Sequence, residues 1–284
     1  MINKNKAKRW AQWGAWIAVL ILLLVFYQRN NNGDEDSQSE EVEQVMSSSH
    51  DSDSSKPNYE SVVLPRGTSN TVVKYKGYTA HFNKELHIPN CVTYEITATE
   101  ARGRRERSGD FERDKNVPGC PNWWDYRDSG YDRGHMAPAG DMKWDEQAMN
   151  ETFYLTNICP QDNALNAGLW NDLELKVREW ARRDKSLIVV TGPIVDRNYD
   201  VIGQDVDIAV PEAFFKVLLS PNTNPMKAIG FICPNRACGG GLKAYAVSVD
   251  EVEERTGINF FNVLPDDVEN RIEANSNLYQ WLNP

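Results

Sequence analysis

The sequence predicts one domain of mixed α and β structure in residues 58–284, preceded by segments of a different composition. Three observations support this fold class. Short stretches rich in β-branched residues indicate strands, and one long stretch has apolar residues at helical spacing. No internal repeat and no second linker divides these residues, so the sheet and the helices are expected to share one core.

The N-terminal residues predict a membrane anchor. Residues 1–9 carry four basic side chains, and residues 10–27 contain no charged residue over a length that crosses a bilayer. A cleaved signal peptide is the alternative, although no small-x-small cleavage site follows the apolar run. The basic side chains place residues 1–9 in the cytoplasm. We therefore expect a single-pass membrane protein whose folded domain lies outside the cytoplasm, in the periplasm or at the cell surface.

Acidic residues dominate the rest of the chain. Residues 28–57 are rich in Asn, Ser, Asp and Glu, which predicts a disordered acidic tether. The net charge of the chain is −10, and residues 57–284 hold 25 Lys and Arg against 33 Asp and Glu. This balance excludes a broad basic face for coating nucleic acid, so any phosphate binding is expected to be local.

The elements of the folded domain follow from periodicity and from local stop signals. Strands are predicted, in chain order, at residues 91–100, 151–160, 186–195, 212–220 and 226–234. Helices are predicted at residues 162–184, 247–257 and 266–282. Pro160 is expected to end the second strand, and Gly257 is expected to end the second helix.

The cysteines leave their pairing open. The chain has five of them, and the spacing of Cys233 and Cys238 permits a local disulfide. No second pair of Cys or His accompanies these two, so a zinc site is not expected there. An odd number leaves at least one thiol free unless it pairs between chains.

The stretch YDRGHMAPAGDM, residues 131–142, contains His135, one of four histidines in the chain. Imidazole titrates near neutrality, and a histidine in a polar turn punctuated by glycine is a candidate proton carrier. The alternative is a histidine that only caps a strand.

Asn166 and Glu174 lie on the predicted helix that follows. With Trp170 they are spaced i, i+4 and i+8, so an amide and a carboxylate project from one side of the helix toward the turn of His135. The alternatives are an exposed amide at Asn166 and a surface pair between Glu174 and Arg178. This set makes an incomplete zinc site but suits Mg²⁺, which prefers oxygen ligands and keeps several waters. With a histidine free to deprotonate water, it predicts phosphodiester hydrolysis.

Two longer motifs extend this prediction. DRGHMAP, followed by TNICPQDNALNAGLWNDLE, closely resembles the DNA/RNA non-specific endonucleases, the ββα-metal nucleases that include endonuclease G and secreted bacterial nucleases. The resemblance continues in TGPI, VPEAFFKV and YAVSVDEVEERTGINFF, and it covers the chain from about Tyr75 to about Trp281. It implies an α+β fold with a mainly antiparallel sheet core, flanking helices and a ββα-metal motif.

The same resemblance implies a role for each motif residue. His135 would be the general base, and Asn166 would bind the metal ion, Mg²⁺ or Mn²⁺ in its place. Glu174 would orient a water held by the ion, and Asn157, which opens NICPQ, would help to position the site. The family also grips the scissile phosphate with an upstream Arg four residues before an aromatic residue, which corresponds to Arg107.

The predicted function is a membrane-anchored, metal-dependent, sugar-non-specific endonuclease that acts on DNA, RNA or both. Its expected partners are nucleic acid and, through residues 10–27, a lipid bilayer. The oligomeric state stays open, and a homodimer is one of the states. The alternative is a catalytically silent nucleic-acid-binding module of the same fold, against which the intact His135, Asn166 and Glu174 argue.

Overall fold

The structure is a computed structural model that describes residues 57–282. Residues Pro57–Pro284 group into one compact unit. The predicted helix at residues 10–27 lies outside the described residues, as do the segment before it and the tether up to Lys56. In the part of the chain that is described, no helix combines the length and the apolar character needed to cross a membrane. The boundaries of the N-terminal segments stay predictions.

Strands account for much of the described chain. In chain order they are β1 (Thr71–Lys74), β2 (Thr79–Asn83), β3 (Ile88–Thr97), β4 (Asp132–His135), β5 (Ile158–Gln161), β6 (Ser186–Ile194), β7 (Val201–Ile202), β8 (Ile208–Ala209), β9 (Ala213–Ser220), β10 (Lys227–Pro234) and β11 (Ala246–Val247). Seven of them form one sheet in the order β1-β2-β3-β6-β9-β10-β11, and every neighbouring pair is antiparallel. β4 pairs with β5, and β7 pairs with β8, in two small sheets.

Helices lie on both sides of this sheet. In chain order they are α1 (Glu146–Glu151), α2 (Asn163–Leu165), α3 (Asn171–Asp184), α4 (Val249–Thr256), α5 (Asp266–Glu273) and α6 (Tyr279–Leu282). β4, β5 and the segment from α2 to α3 form a two-strand-and-helix unit beside the main sheet. The α+β class with a mainly antiparallel sheet and flanking helices is confirmed.

The two faces of the main sheet carry separate parts of the hydrophobic core. Side chains alternate along β9, so Phe214 and Leu218 point to one face while Phe215 and Val217 point to the other. The first face packs against α3 and the small sheet of β4 and β5, and the second face packs against α4 and α5. The candidate active site is built on the first face.

Several predicted elements are confirmed. The strands predicted at 186–195, 212–220 and 226–234 correspond to β6, β9 and β10. The helix predicted at 247–257 is α4, where Ser248 accepts a hydrogen bond from the backbone N–H of Glu251. Gly257 ends this helix in the left-handed conformation, with φ of 70°.

The strand predicted at residues 151–160 is wrong in its first part. A 3-10 turn at Leu155–Asn157 precedes β5, which begins only at Ile158. Pro160 does not end the strand but lies inside it, opposite Arg133. In the described chain, β5 pairs only with β4. The N–H group that proline lacks would point away from β4, where no strand pairs with β5, so proline is tolerated at this position.

Two other predicted elements have different boundaries. The strand predicted at 91–100 is β3, which begins and ends three residues earlier. The terminal helix predicted at 266–282 is divided into α5 and α6. Between them the side chain of Asn275 accepts from the backbone N–H of Asn277, and that of Asn277 accepts from the N–H of Tyr279. These local bonds compete with a continuous helix.

The cysteines are all free thiols, so the disulfide that the spacing of Cys233 and Cys238 permitted does not form in this structure. Burial raises the pKa of the Cys233 thiol to about 12. It is a small apolar component of the core.

Candidate active site

The pairing of β4 with β5 positions His135. Its backbone lies opposite Ile158 at the end of the ladder, and the N–H of Met136 donates to the carbonyl of Asn157 at 2.9 Å. The two strands can approach closely because residue 134 is glycine: a Cβ at Gly134 would overlap the buried side chain of Gln161. Gly134 therefore helps to determine the position of the imidazole of His135.

The ring of His135 is held between two aromatic side chains. The ring centroid of Phe111 lies 5.2 Å away, and that of Phe153 lies 5.0 Å away in an edge-to-face arrangement. Nε2 is buried, and no described residue forms a hydrogen bond with it. Burial, together with the positive charge of Arg107, lowers the pKa of His135 to about 3. The ring is thus a neutral base with an unused nitrogen.

Asn157 is fully buried and acts on the backbone. Its Oδ1 accepts from the N–H of Ala137 at 2.8 Å, and its Nδ2 donates to the carbonyls of Ala137 and Thr152 at 2.9 and 2.8 Å. Both amide protons are therefore used. This geometry favours a positioning role, in which Asn157 holds the turn that follows His135, over contact with a substrate.

Asn166 lies at the start of the helical segment and is bound to the strand that carries the histidine. Its Nδ2 donates to Oδ2 of Asp132 at 2.9 Å, and Nδ2 of Asn163 donates to the same oxygen at 3.0 Å. Because the carboxylate only accepts, it fixes which end of the Asn166 amide faces it. Oδ1 of Asn166 is left without a donor among residues 57–282, and it is available as a ligand.

The helix that carries Asn166 and Glu174 is not regular. A π-helical turn spans Asn166–Trp170, and Gly168 within it has φ of −103° and ψ of −114°. The prediction of one continuous helix over 162–184 is therefore wrong at this turn, because glycine admits a backbone conformation outside the helical region. The N-terminal boundary is confirmed: the side chain of Asp162 accepts from two backbone N–H groups of the first turn.

Glu174 lies in the first turn of α3 above a group of buried charges. Burial raises the pKa of its carboxyl, the nearby Asp141 raises it further, and the cations Lys216 and Arg178 lower it. The predicted alternative of a surface pair with Arg178 is not what forms, because the guanidinium of Arg178 donates instead to the buried Asp141 at 2.6 Å. The hydroxyl of Tyr94 donates to the other oxygen of Asp141 at 2.8 Å.

Lys216 belongs to this group, although it is not among the predicted site residues. It is fully buried in β9, where Nζ donates to Oγ1 of Thr191 at 3.2 Å and lies 4.6 Å from the ring centroid of Trp170. Burial lowers the pKa of Lys216, whereas the charge of Glu174 raises it. A lysine inside the apolar stretch AFFKVLLS was the signal that could have identified it, since an ammonium group is rarely buried without a partner.

Arg107 faces both titratable groups of the site. Its guanidinium carbon lies 5.1 Å from the ring centroid of Phe153, and its charge lowers the pKa of both His135 and Glu174. The side chain is exposed. Two other arginines of the same loop have partners elsewhere: Arg102 donates to a carbonyl at 2.7 Å, and Arg105 lies 3.9 Å from the carboxylate of Glu146.

Contacts and charges connect the predicted residues: Asn166 is bonded to the strand of His135, and Arg107 acts on both His135 and Glu174. A neutral imidazole, a free amide oxygen, a partly buried carboxylate and an exposed guanidinium are contributed by β4, the π-helical turn, α3 and the loop before β4. An amide oxygen with space for waters fits a hard divalent cation such as Mg²⁺ better than a soft metal ion. Chemically, the set can bind a phosphate, hold a cation beside it and accept a proton.

Comparisons with known proteins agree with this chemistry. The family model described as DNA/RNA non-specific endonuclease matches residues 55–267. Human nuclease EXOG, mitochondrial, is 35% identical over 206 residues, which cover 66% of this chain and 56% of that protein. Nuclease C1 of Cunninghamella echinulata is 32% identical over 227 residues, covering 73% of this chain and 90% of its own. The chain therefore spans less than two thirds of the length of EXOG but most of nuclease C1.

A solved structure shows the same fold. The crystal structure of the complex of EndoG with EndoGI, which concerns the mechanism of EndoG inhibition, contains a chain that superposes with a TM-score of 0.65. The two sequences are 28% identical, and the match covers 69% of this chain and 87% of that chain.

The comparisons contradict the localisation predicted from the N-terminal residues. EXOG and a yeast relative from Saccharomyces cerevisiae, 35% identical over 208 residues, are named as mitochondrial nucleases. A single-pass membrane protein with its catalytic domain in the periplasm or at the cell surface is therefore the wrong prediction.

Proposed function

Since the chain belongs to the DNA/RNA non-specific endonuclease family, whose members are hydrolytic nucleases, we propose that it is a metal-dependent endonuclease that cleaves DNA and RNA without sugar specificity. The observation that carries this proposal is the hydrogen bond from Asn166 to Asp132. It ties a candidate metal ligand to the strand that presents His135. A cation held by Asn166 would then lie close to the strand that carries the proposed base.

His135 acts as the general base. Its ring is neutral and is able to accept a proton from the attacking water. A base whose pKa is about 3 is a weak proton acceptor at neutral pH. A phosphate bound beside Arg107 adds negative charge that offsets the guanidinium, the smaller of the two causes, and this raises the pKa of His135 when the substrate is in place.

Asn166 supplies the protein ligand for the divalent cation through Oδ1, and we propose Mg²⁺ as the ion, with Mn²⁺ able to replace it. The donor set fits, because Mg²⁺ takes oxygen ligands and completes its coordination with waters and substrate phosphate. When bound, the cation stabilises the charge that develops on the phosphate and on the leaving oxygen. Asp132 keeps the amide of Asn166 turned so that its oxygen points away from the strand.

Arg107 and Glu174 complete the site. Arg107 is exposed at the entrance and presents donors in the fork geometry that phosphate oxygens accept. Glu174 accepts from waters near the cation and orients them. Asn157 fixes the turn after His135 and is a positioning residue. None of these contacts reads a base, which agrees with cleavage that ignores sequence.

A nuclease assay of the purified full chain tests the proposal. Supercoiled plasmid, single-stranded DNA and RNA are incubated with Mg²⁺, with Mn²⁺ and with excess chelator, beside the His135→Ala variant. We expect nicking and degradation of all three substrates, loss of cleavage with chelator, and substrate binding without cleavage in the variant. If the wild-type chain binds nucleic acid but cleaves none of the substrates with either ion, the alternative of a silent binding module is correct.

A further inference from the structure

A second group of carboxylates lies on the face of the sheet opposite the candidate active site. Asp250 and Glu253 belong to α4, and Glu273 is the last residue of α5. One carboxylate oxygen from each of the three lies within 4.8 Å of the other two. Both helices pack on the face that carries Phe215 and Val217, away from His135. The proposed nuclease chemistry does not use these residues.

Glu273 is the unusual member of this group. Its side chain is only 4% exposed, and its buried Oε1 has no hydrogen-bond partner in the described chain. One oxygen of this carboxylate lies within 4.8 Å of oxygens of Asp250 and Glu253, so the buried side chain that carries the unpartnered acceptor is directed into the group. A buried polar atom left without a partner is costly, and native structures retain few of them.

The neighbouring side chains do not neutralise the three carboxylates. Glu253 accepts one hydrogen bond, from the backbone N–H of Phe260 at 2.8 Å. The basic residue of the same helix, Arg255, pairs with Glu212 instead. Between residues 57 and 282 no Lys or Arg forms an ion pair with Asp250, Glu253 or Glu273. The group therefore has no cationic partner among the described residues.

The lack of a cationic partner is also visible in the pKa of the buried member, Glu273. Burial raises the pKa of Glu273 to about 8, and the charges of Glu253, Glu269 and Asp250 contribute to this increase. A cation placed among the oxygens would remove both the repulsion and the unpaired acceptor, as paired or metal-coordinating charges do in protein interiors.

We propose that Asp250, Glu253 and Glu273 form a divalent cation site of the Ca²⁺ type that fastens α4 to α5. Oxygens bound to one Ca²⁺ at about 2.3–2.6 Å lie at most about 5 Å apart, which the separation of these oxygens satisfies. Ca²⁺ also accepts irregular sets of carboxylates, whereas Mg²⁺ requires near-octahedral geometry and is usually held by fewer of them. The site is structural and separate from the catalytic cation.

Thermal unfolding of the full chain tests the site without using nuclease activity. Wild type, Glu273→Gln and the control Glu254→Gln are melted in chelator and again with an excess of Ca²⁺. Glu254 lies on α4, is exposed and is outside the group, so its variant has the same change in charge. We expect Ca²⁺ to raise the Tm of wild type and of the control by on the order of 5 °C, and to leave Glu273→Gln unchanged. In chelator, Glu273→Gln melts close to the wild-type temperature, because with a pKa of about 8 the Glu273 carboxyl already carries a proton at neutral pH.

Two further measurements keep the result unambiguous. Asp250→Asn changes an exposed residue, so it folds even if Glu273→Gln does not, and it too loses the Ca²⁺-dependent shift. Asn166→Ala retains the shift, because that residue belongs to the other site. A shift that is equal in wild type and in both acidic variants overturns the proposal, as does the absence of any shift in wild type. A shift produced by Mg²⁺ but not by Ca²⁺ overturns the assignment of the ion.

Discussion

Asn166 donates a hydrogen bond of 2.9 Å to Asp132, and Asp132 lies on the same strand as His135, three residues earlier. One short contact thus joins the helical segment to the strand and sets the orientation of the amide. The proposed metal ligand and the proposed base are therefore held in fixed relation before any substrate arrives, as a preorganised site requires.

His135 and Asn166 have different proposed roles, and the dependence of the reaction rate on Mg²⁺ concentration should distinguish them. His135→Ala should reduce turnover by about 10²-fold or more at every Mg²⁺ concentration, because no other group replaces the base. Asn166→Ala should require more Mg²⁺ for half-maximal rate and recover part of the activity when the ion is raised. Rates measured against Mg²⁺ concentration decide between them. Rescue of His135→Ala by metal, with none for Asn166→Ala, would mean that the two roles are exchanged.

The ring of His135 should stay neutral far below the usual titration range. Burial and Arg107 lower its pKa from 6.5 to about 3, so the folded state does not protonate this ring where the unfolded state does. The stability that follows from this difference is full above pH 6.5 and is lost as the pH falls from 6.5 toward 3. A histidine NMR titration of the full chain, assigned with His135→Asn, measures the pKa directly. A midpoint near 6.5 contradicts the prediction.

Arg107→Ala should weaken binding of the scissile phosphate and should also change the pKa of the proposed base, His135. Loss of the guanidinium should lower kcat/KM by about 10-fold or more, and it should raise the pKa of His135 because a nearby positive charge has gone. Steady-state kinetics on a plasmid and the NMR titration are the measurements. Arg104→Ala, an exposed arginine of the same loop, is the matched control and should change neither quantity comparably. Equal losses in both variants would indicate only a general electrostatic contribution of the loop.

Lys216→Met should damage activity without weakening the fold. Without the buried ammonium group the pKa of Glu174 rises further, so the acidic limb of the rate profile moves to higher pH and activity at pH 7 falls. Stability should change little, because methionine has no charge to bury and fills a similar volume, and because Glu174, whose pKa is already about 7, takes up a proton when the cation is lost. The pH dependence of kcat and thermal unfolding are measured together.

Lys227→Met is the control for Lys216→Met. Lys227 lies on the neighbouring strand β10, 4.8 Å from the ring centroid of Trp281, and it pairs with Asp184 at 3.2 Å. Its loss should lower the Tm, since it leaves Asp184 without one of its cations, but it should not move the pH profile. A shift in both variants, or in neither, contradicts the link between Lys216 and Glu174.

The sequence predicted the parts of the site that are encoded locally. His135 and Asn166 lie in short motifs whose residue types already specify the chemistry, and Asp162 and Gly257 mark helix boundaries through their own side chains or backbone. Lys216 was missed because its partner lies on another element, far away in the chain. Hydrophobic periodicity within one segment does not show which strand residue will contact which helix residue.

Other predictions were wrong where a local hydrogen bond or backbone conformation outweighed the hydrophobic pattern. Apolar spacing favoured an unbroken helix through Gly168 and another through Asn275, but a glycine conformation and two Asn side chains interrupt them. Hydrophobic periodicity predicts which face is buried and carries little information about such interruptions.

The connection between β4 and β5 has a consequence for the order of folding. Residues 136–157, which include α1, separate two strands that would close quickly if a tight turn joined them. Each doubling of such a loop adds about 0.6 kcal/mol to the entropy cost of closure, and contacts of the completed core must offset it. His135 and the Asn166 segment therefore come together only when this loop has closed. A nascent or partly folded chain would have no catalytic apparatus, so the capacity to cleave nucleic acid would arise only with the finished fold.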